Sequence, residues 1–210
     1  IIYAQDHPVV LSSKPCADGG RDYETTAFGQ LHGDLGGDYQ EKNMNTVLTA
    51  MPILQKKFSI SNVDVKTALA HVCQLTGLRG RWETIRQTPH VVCDTGHNVG
   101  GWQYLAPQIE AQPCKTLRIV FGMVDDKDIN TVTELLPKRA VYYWAQPSTK
   151  RAFSADKVTE LGAKHHLKGT NCGSVAQAYH QALADAGDDD FIFVGGSSYV
   201  VADLLATPDL

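Results

Sequence analysis

Val91-Val92-Cys93-Asp94-Thr95-Gly96-His97-Asn98-Val99-Gly100-Gly101 lies near the middle of a 210-residue chain and decides how the rest is read. A short apolar run ends in a carboxylate. A tight polar turn carrying an imidazole follows, and Trp102 to Ile109 then places apolar residues at helical spacing. The order is strand, loop, helix. Asp94 and His97 stand at the carboxyl end of the strand, where open parallel sheets bind their ligands. A plainer role fits the same residues, because Asp94 or Asn98 at this place also caps the helix that follows.

Downstream the pattern repeats. Strand patterns fall at 116–121, 140–145, 165–167 and 191–194, after the first at 90–94. Helical patterns fall between and after them, at 101–110, 129–136, 155–161, 174–186 and 199–205. Such alternation predicts a parallel, doubly wound α/β sheet. Residues 117–121 and 191–194 have the near-continuous apolar content of strands covered on both faces. Two further strand ends carry polar loops, Gly122-Met123-Val124-Asp125-Asp126-Lys127-Asp128 and Gly195-Gly196-Ser197-Ser198-Tyr199. The second offers small residues and hydroxyls at a helix start, a suitable seat for an anion. It also reads as an ordinary tight turn, and Lys127 with Asp128 as a surface ion pair.

Upstream the character changes. Residues 1–40 alternate short β-rich pieces with Gly/Asp turns and carry too little apolar material for a core of their own. Met44, Val47, Leu48, Met51 and Leu54 then form one helical stripe, and a second helix is predicted over 63–74, closed by Thr76-Gly77. Gly77-Leu78-Arg79-Gly80-Arg81-Trp82-Glu83 is a short loop entering a strand. It is either a basic surface turn with Trp82 packed at a domain edge, or a guanidinium presented to phosphate.

Composition narrows the classes. With 43% hydrophobic and 20% charged residues the chain is of ordinary globular type. A net charge of −4 gives no reason to expect nucleic acid or an anionic membrane as partner. No apolar run reaches the length of a membrane span, and no signal peptide is visible. Five cysteines without a CxxC pair predict free thiols, most of them buried, in a reducing compartment. Cys93 reads as packing, and Asp188-Asp189-Asp190 as a solvated turn.

Five elements occur in a telling order: Tyr39-Gln40-Glu41-Lys42-Asn43, Gly80-Arg81-Trp82-Glu83, Asp94-Thr95-Gly96-His97-Asn98, the Phe121 to Asp128 stretch, and Gly196-Ser197. Together they resemble folylpolyglutamate synthase/dihydrofolate synthase, of the Mur ligase superfamily. Thr95-Gly96 at the centre of the third element is a modest departure from that family's pattern. The resemblance implies an α/β fold. A Rossmann-like, mostly parallel doubly wound domain over 78–210 would follow a strand-and-helix remnant of a central ATPase domain over 1–77. It implies an ATP-dependent amide ligase that adds L-glutamate to folate or dihydropteroate through an acyl phosphate. The implied enzyme is a cytoplasmic monomer using ATP and Mg2+, with small-molecule substrates and neither nucleic acid nor membrane as partner.

Such enzymes are longer and begin with a P-loop domain that also holds the magnesium ligands. No G-x-x-x-x-G-K-[ST] occurs here. The chain, which begins Ile1-Ile2 without Met, is therefore expected to be a C-terminal portion that is inactive alone. By the resemblance, Asn43 contacts the adenine side of ATP and Arg81 the phosphates, while Asp94 engages the ribose or orients its neighbour. His97 lies by the terminal phosphates and Ser197 by glutamate, with Lys127 and Asp128 on a loop facing the cleft. Two competitors remain, a peptidoglycan-precursor ligase of the same superfamily and a non-catalytic nucleotide-binding module.

Overall fold

The computed structural model describes residues 1–125 and 128–208, and the chain divides into two compact units, Ile1–Arg81 and Trp82–Leu210. In the first, strands β1 (Val10–Pro15), β2 (Arg21–Thr25) and β3 (Gly29–Gly33) form an antiparallel meander. Helices α1 (Gln40–Gln55), α2 (Asn62–Ala70) and α3 (Val72–Thr76) follow. Strand alternation sends Tyr23 and Leu31 to one face, where with Phe28 they pack on Met44, Leu48 and Val65. The paired neighbours Asp22 and His32 therefore point to the other face.

The single helix expected over 63–74 is in fact two. A reciprocal Ser61–Asp64 capping box starts α2, but the chain breaks at His71, with φ −136° and ψ 33°. Asp34 explains the break. Its N–H takes the Leu69 carbonyl at 3.2 Å, and its Oδ2 accepts from the Cys73 N–H at 2.8 Å. These tertiary bonds satisfy groups that the helical ladder would otherwise use.

The second unit runs β4 (Glu83–Arg86), β5 (His90–Asp94), α4 (Val99–Glu110), β6 (Leu117–Phe121), α5 (Ile129–Leu135) and β7 (Val141–Gln146). It continues with α6 (Ala155–Lys164), β8 (Lys168–Ser174), α7 (Val175–Ala184), β9 (Phe191–Gly195) and α8 (Ser198–Leu205). The six strands lie in the order β4-β5-β9-β6-β7-β8, parallel except for β4. Helices cover both faces, as the apolar strands require. Tyr179 of α7 and Val200, Val201 and Leu204 of α8 pack on Val91, Cys93, Val120, Ile192 and Val194. On the opposite side Trp102 of α4 meets Phe121 and Phe193 edge-on, at 5.6 and 5.8 Å between ring centres. No helix among the described residues is long and apolar enough to cross a membrane.

Three expectations are corrected. The strand placed at 165–167 is the C-cap and closing turn that follow α6, where His166 takes φ 59°. The real strand, β8, is a polar edge with exposed side chains and so lacks an apolar signature. Of the five thiols only Cys93 is buried; Cys16 lies just beyond a strand end and Cys73 on the short α3, where the surface is near. The run at 188–190 is not wholly solvated, because Asp190 is 5% exposed. It pairs with the Arg118 guanidinium at 3.0 Å and accepts from the N–H groups of Thr116 and Gly187. Arg118 also reaches Tyr143, whose hydroxyl donates to Asp185.

Candidate functional site

The last residues of three adjacent parallel strands define one sheet edge. Asp94 of β5 stands opposite Gly195 of β9, which stands opposite Phe121 of β6. Strand β9 enters between two strands that precede it in the chain, so the loops after β5, β9 and β6 leave side by side. This is the kind of place at which open α/β sheets bind ligands.

Asp94 is fully buried. Its Oδ2 accepts from the Trp82 N–H and its Oδ1 from the Gly96 N–H, both at 2.7 Å. Trp82 needs such support, because its φ of 51° is unusual for a bulky residue. Its ring is held as well, stacked on Phe191 and tilted against Phe193.

His97 is half-buried, and its Nδ1 lies 3.0 Å from the Thr95 carbonyl. A carbonyl only accepts, so Nδ1 carries the hydrogen and Nε2 is the ring atom left to meet a ligand. An imidazolium in this loop then presents an Nε2–H donor to an anion. Asn98 is the helix cap, its Oδ1 accepting from the Gly101 N–H at 2.8 Å. Of the two capping candidates, Asp94 and Asn98, it is Asn98 that serves.

Ser197 is 1% exposed and caps α8, its Oγ accepting from the Tyr199 N–H at 3.1 Å. Asp128 is an exposed cap of α5, its carboxylate held by the N–H and hydroxyl of Thr131 at 3.1 and 2.7 Å. The Thr131 hydroxyl, more than any charge, keeps the Asp128 carboxyl below the usual carboxylate range. Lys127 lies outside the described residues. The edge thus brings the Asp94–His97 loop beside Ser197, while Asp128 is occupied at the start of its own helix.

Gly196 makes the turn after β9 possible. Its φ is +104°, and a Cβ there would collide with the Gly122 carbonyl oxygen, a backbone atom with no freedom to retreat. Gly196→Ala is expected to cost about 2–3 kcal/mol of stability. Denaturant unfolding followed by tryptophan fluorescence checks this, since Trp82, Trp102 and Trp144 all lie in the second unit.

The first unit has its own candidate site. A cavity of about 320 Å³ is lined by Asn43, Arg81 and Gln40 among apolar neighbours such as Tyr23, Met44 and Leu69. Asn43 donates from Nδ2 to the Gln40 Oε1 at 2.9 Å, which fixes both amides. An apolar cleft with a few placed amides and one guanidinium suits a flat heterocycle carrying an anionic tail. Sequence reasoning missed Gln40 as the group that orients Asn43, although both stood in the same quoted stretch at i and i+3 of one helix.

Residues 80–198 match the family model of the Mur ligase, glutamate ligase domain, and the chain belongs to that family. It is 34% identical over 190 residues to the dihydrofolate synthase/folylpolyglutamate synthase of Escherichia coli K12, a match covering 87% of this chain and 42% of the relative. The structure of E. coli FolC in complex with DHPP and ADP superposes with a TM-score of 0.70 at 27% identity, over 91% of this chain and 44% of that one. The bifunctional synthase of Yersinia pestis, complexed with AMPPNP and Mn ion, gives 0.65 at 26% identity, over 93% and 45%. The chain therefore spans less than half the length of the relatives it matches.

Proposed function

We propose that this chain is the C-terminal portion of an ATP-dependent ligase that joins L-glutamate to folate, to dihydropteroate, or to both. Residues 1–77 would belong to a central ATP-binding domain and residues 78–210 to the glutamate ligase domain. The observation that carries the reading is the shared sheet edge of β5, β9 and β6. It presents the His97 loop and the Ser197 turn side by side in a chain whose curated relatives are folate ligases.

In the proposed reaction a substrate carboxylate oxygen attacks the γ-phosphorus of ATP. The bond from that phosphorus to the ADP oxygen breaks, giving an acyl phosphate. The glutamate amine then attacks the acyl carbon, loses a proton, and phosphate leaves from the tetrahedral intermediate. Arg81, with Asn43, is assigned to ATP, the guanidinium neutralising charge on the phosphates. His97 donates from Nε2 to an anionic phosphate oxygen, its ring steered by Thr95 and its loop by Asp94. Ser197 and the α8 amino terminus are assigned to the glutamate carboxylate. No residue of this chain is assigned to Mg2+. Among the described residues the three-ligand cluster of suitable type is Cys16, Asp22 and His32, and its thiol and imidazole do not suit so hard an ion.

The test is phosphate release from MgATP that requires both glutamate and a pteroate or folate. The full-length protein encoded around this sequence is expected to turn over, and the 210-residue chain to be silent. Turnover by the short chain would refute the view that it is only a portion of the machinery. A full-length protein that folds, binds ATP and ignores every pterin substrate would refute the ligase assignment and favour the sugar-nucleotide branch or a binding module.

A further inference from the structure

The polar face of the small sheet holds a constellation that the ligase reading does not use. We propose that Cys16, Asp22 and His32 bind a borderline divalent transition-metal ion of the Zn2+ class, with Asp18 holding the imidazole from behind. Asp22 and His32 are cross-strand partners on β2 and β3, and Cys16 follows directly on β1. Strand alternation turns Asp22 and His32 away from the Tyr23–Leu31 core, so the site opens to solvent without cutting into packing.

The donor atoms of the three residues lie within 4.8 Å of one another. A tetrahedral zinc shell, with bonds of about 2.0–2.3 Å, brings such atoms to about 3.3–3.8 Å apart, a change that side-chain rotation supplies. The ring is already braced on both sides. His32 Nδ1 is 3.0 Å from Asp22, and Nε2 is 3.3 Å from Asp18. We assign Nδ1, beside Asp22, to the metal. Nε2 then keeps its carboxylate, the arrangement that fixes ring orientation in metal-bound histidines. Asp18 is itself tied down, since its Oδ1 accepts from the Gly20 N–H at 2.9 Å. Gly20 is what lets the ring sit there. A Cβ on it would stand 2.8 Å from His32 Cε1, 2.9 Å from Nε2, and 2.5 Å from the Gly33 carbonyl oxygen.

The donor set selects the ion. A thiol and an imidazole favour zinc, cobalt or copper over magnesium or calcium, and the two carboxylates supply the charge a divalent cation needs. A thiol ligates as its thiolate. Binding therefore replaces a proton. The S–H bond breaks, its proton leaves to solvent, and a sulfur–metal bond forms, so affinity rises with pH. Lys14, cross-strand from Asp22, adds one opposing charge. The consequence is a clip across the ends of β1, β2 and β3.

Co2+ titrated into the reduced 210-residue chain is the probe. One equivalent is expected to give a sulfur-to-cobalt charge-transfer band and the strong visible bands of tetrahedral cobalt, both erased by Zn2+. Cys16→Ser should abolish the charge-transfer band. His32→Gln should weaken binding by more than the roughly 10–100-fold that loss of an outer partner costs. Gly20→Ala, which removes no ligand, should weaken it as well, while Cys73→Ser and Cys172→Ser leave it intact. Absence of a thiolate band at stoichiometric Co2+ overturns the proposal, as does a band that survives Cys16→Ser. Should Cys16→Ser not fold, His32→Gln and Asp22→Asn decide: undiminished binding in both overturns it.

Discussion

Asp190→Ala is expected to cost the second unit about 3–5 kcal/mol, the penalty for stranding one member of a largely buried ion pair. Arg118 would keep its Tyr143 and Asp185 contacts but lose the carboxylate 3.0 Å from its Nε. The N–H groups of Thr116 and Gly187 would lose their acceptor too. Denaturant unfolding read by tryptophan fluorescence measures the loss. A cost below about 1 kcal/mol, the worth of an exposed pair, would refute the claim. Arg118→Met added to Asp190→Ala should recover part of the loss, because no charge is then left unpaired. The acid limb carries a second signature. Burial opposes ionisation of Asp190, but the Gly187 N–H, Arg118 and Thr116 outweigh it and hold the carboxyl below its usual range. A lowered folded-state pKa means that the stabilisation is complete above the unfolded value of about 3.9 and is lost as pH falls from there through the lowered folded value. Asp190→Ala should therefore show a shallower loss of stability below about pH 4 than the parent.

His97→Ala, made in the full-length protein, is expected to lower kcat by about 10²–10³-fold, the usual cost of removing one preorganised donor to developing charge. Stability should barely move, since the described hydrogen bond of the ring is local, to the Thr95 carbonyl two residues back. Asn98→Ala is the matching control. It removes the α4 cap and should cost about 1 kcal/mol of stability with a far smaller effect on rate. Steady-state phosphate release together with thermal unfolding separates the two. A His97→Ala enzyme within threefold of the parent rate would remove His97 from the chemistry and leave it a loop residue.

Much of this was legible in the sequence because the relevant signals are local. The apolar runs around Val91 and Phe191 are strands buried on both faces, and the strand–helix alternation around them gives them away. The edge position of Asp94, His97 and Ser197 followed from strand–helix alternation alone. What stayed hidden depends on contacts distant in sequence. The break at His71 is made by Asp34, and the burial of Asp190 by Arg118, each invisible to a local window. Edge strand β8 is polar, so its hydrogen-bonding role leaves no hydrophobic trace. The Cys16–Asp22–His32 group appears only when the register of three strands is known. The positive φ of Trp82 has no sequence signature at all, since glycine is the residue expected there.

The placement of β9 also governs how the second unit is made. Val91 pairs with Ile192, roughly a hundred residues further along, so the middle of the sheet closes only after nearly the whole unit has been synthesised. Until then β5 and β6 lack the neighbour they share and expose apolar edges, the condition under which nascent chains need chaperones. A ribosome that stalls before residue 191 would release a sheet without its central strand rather than one trimmed at its rim. Because the Ser197 turn rides on that strand, the candidate site and the fold are completed in the same late step.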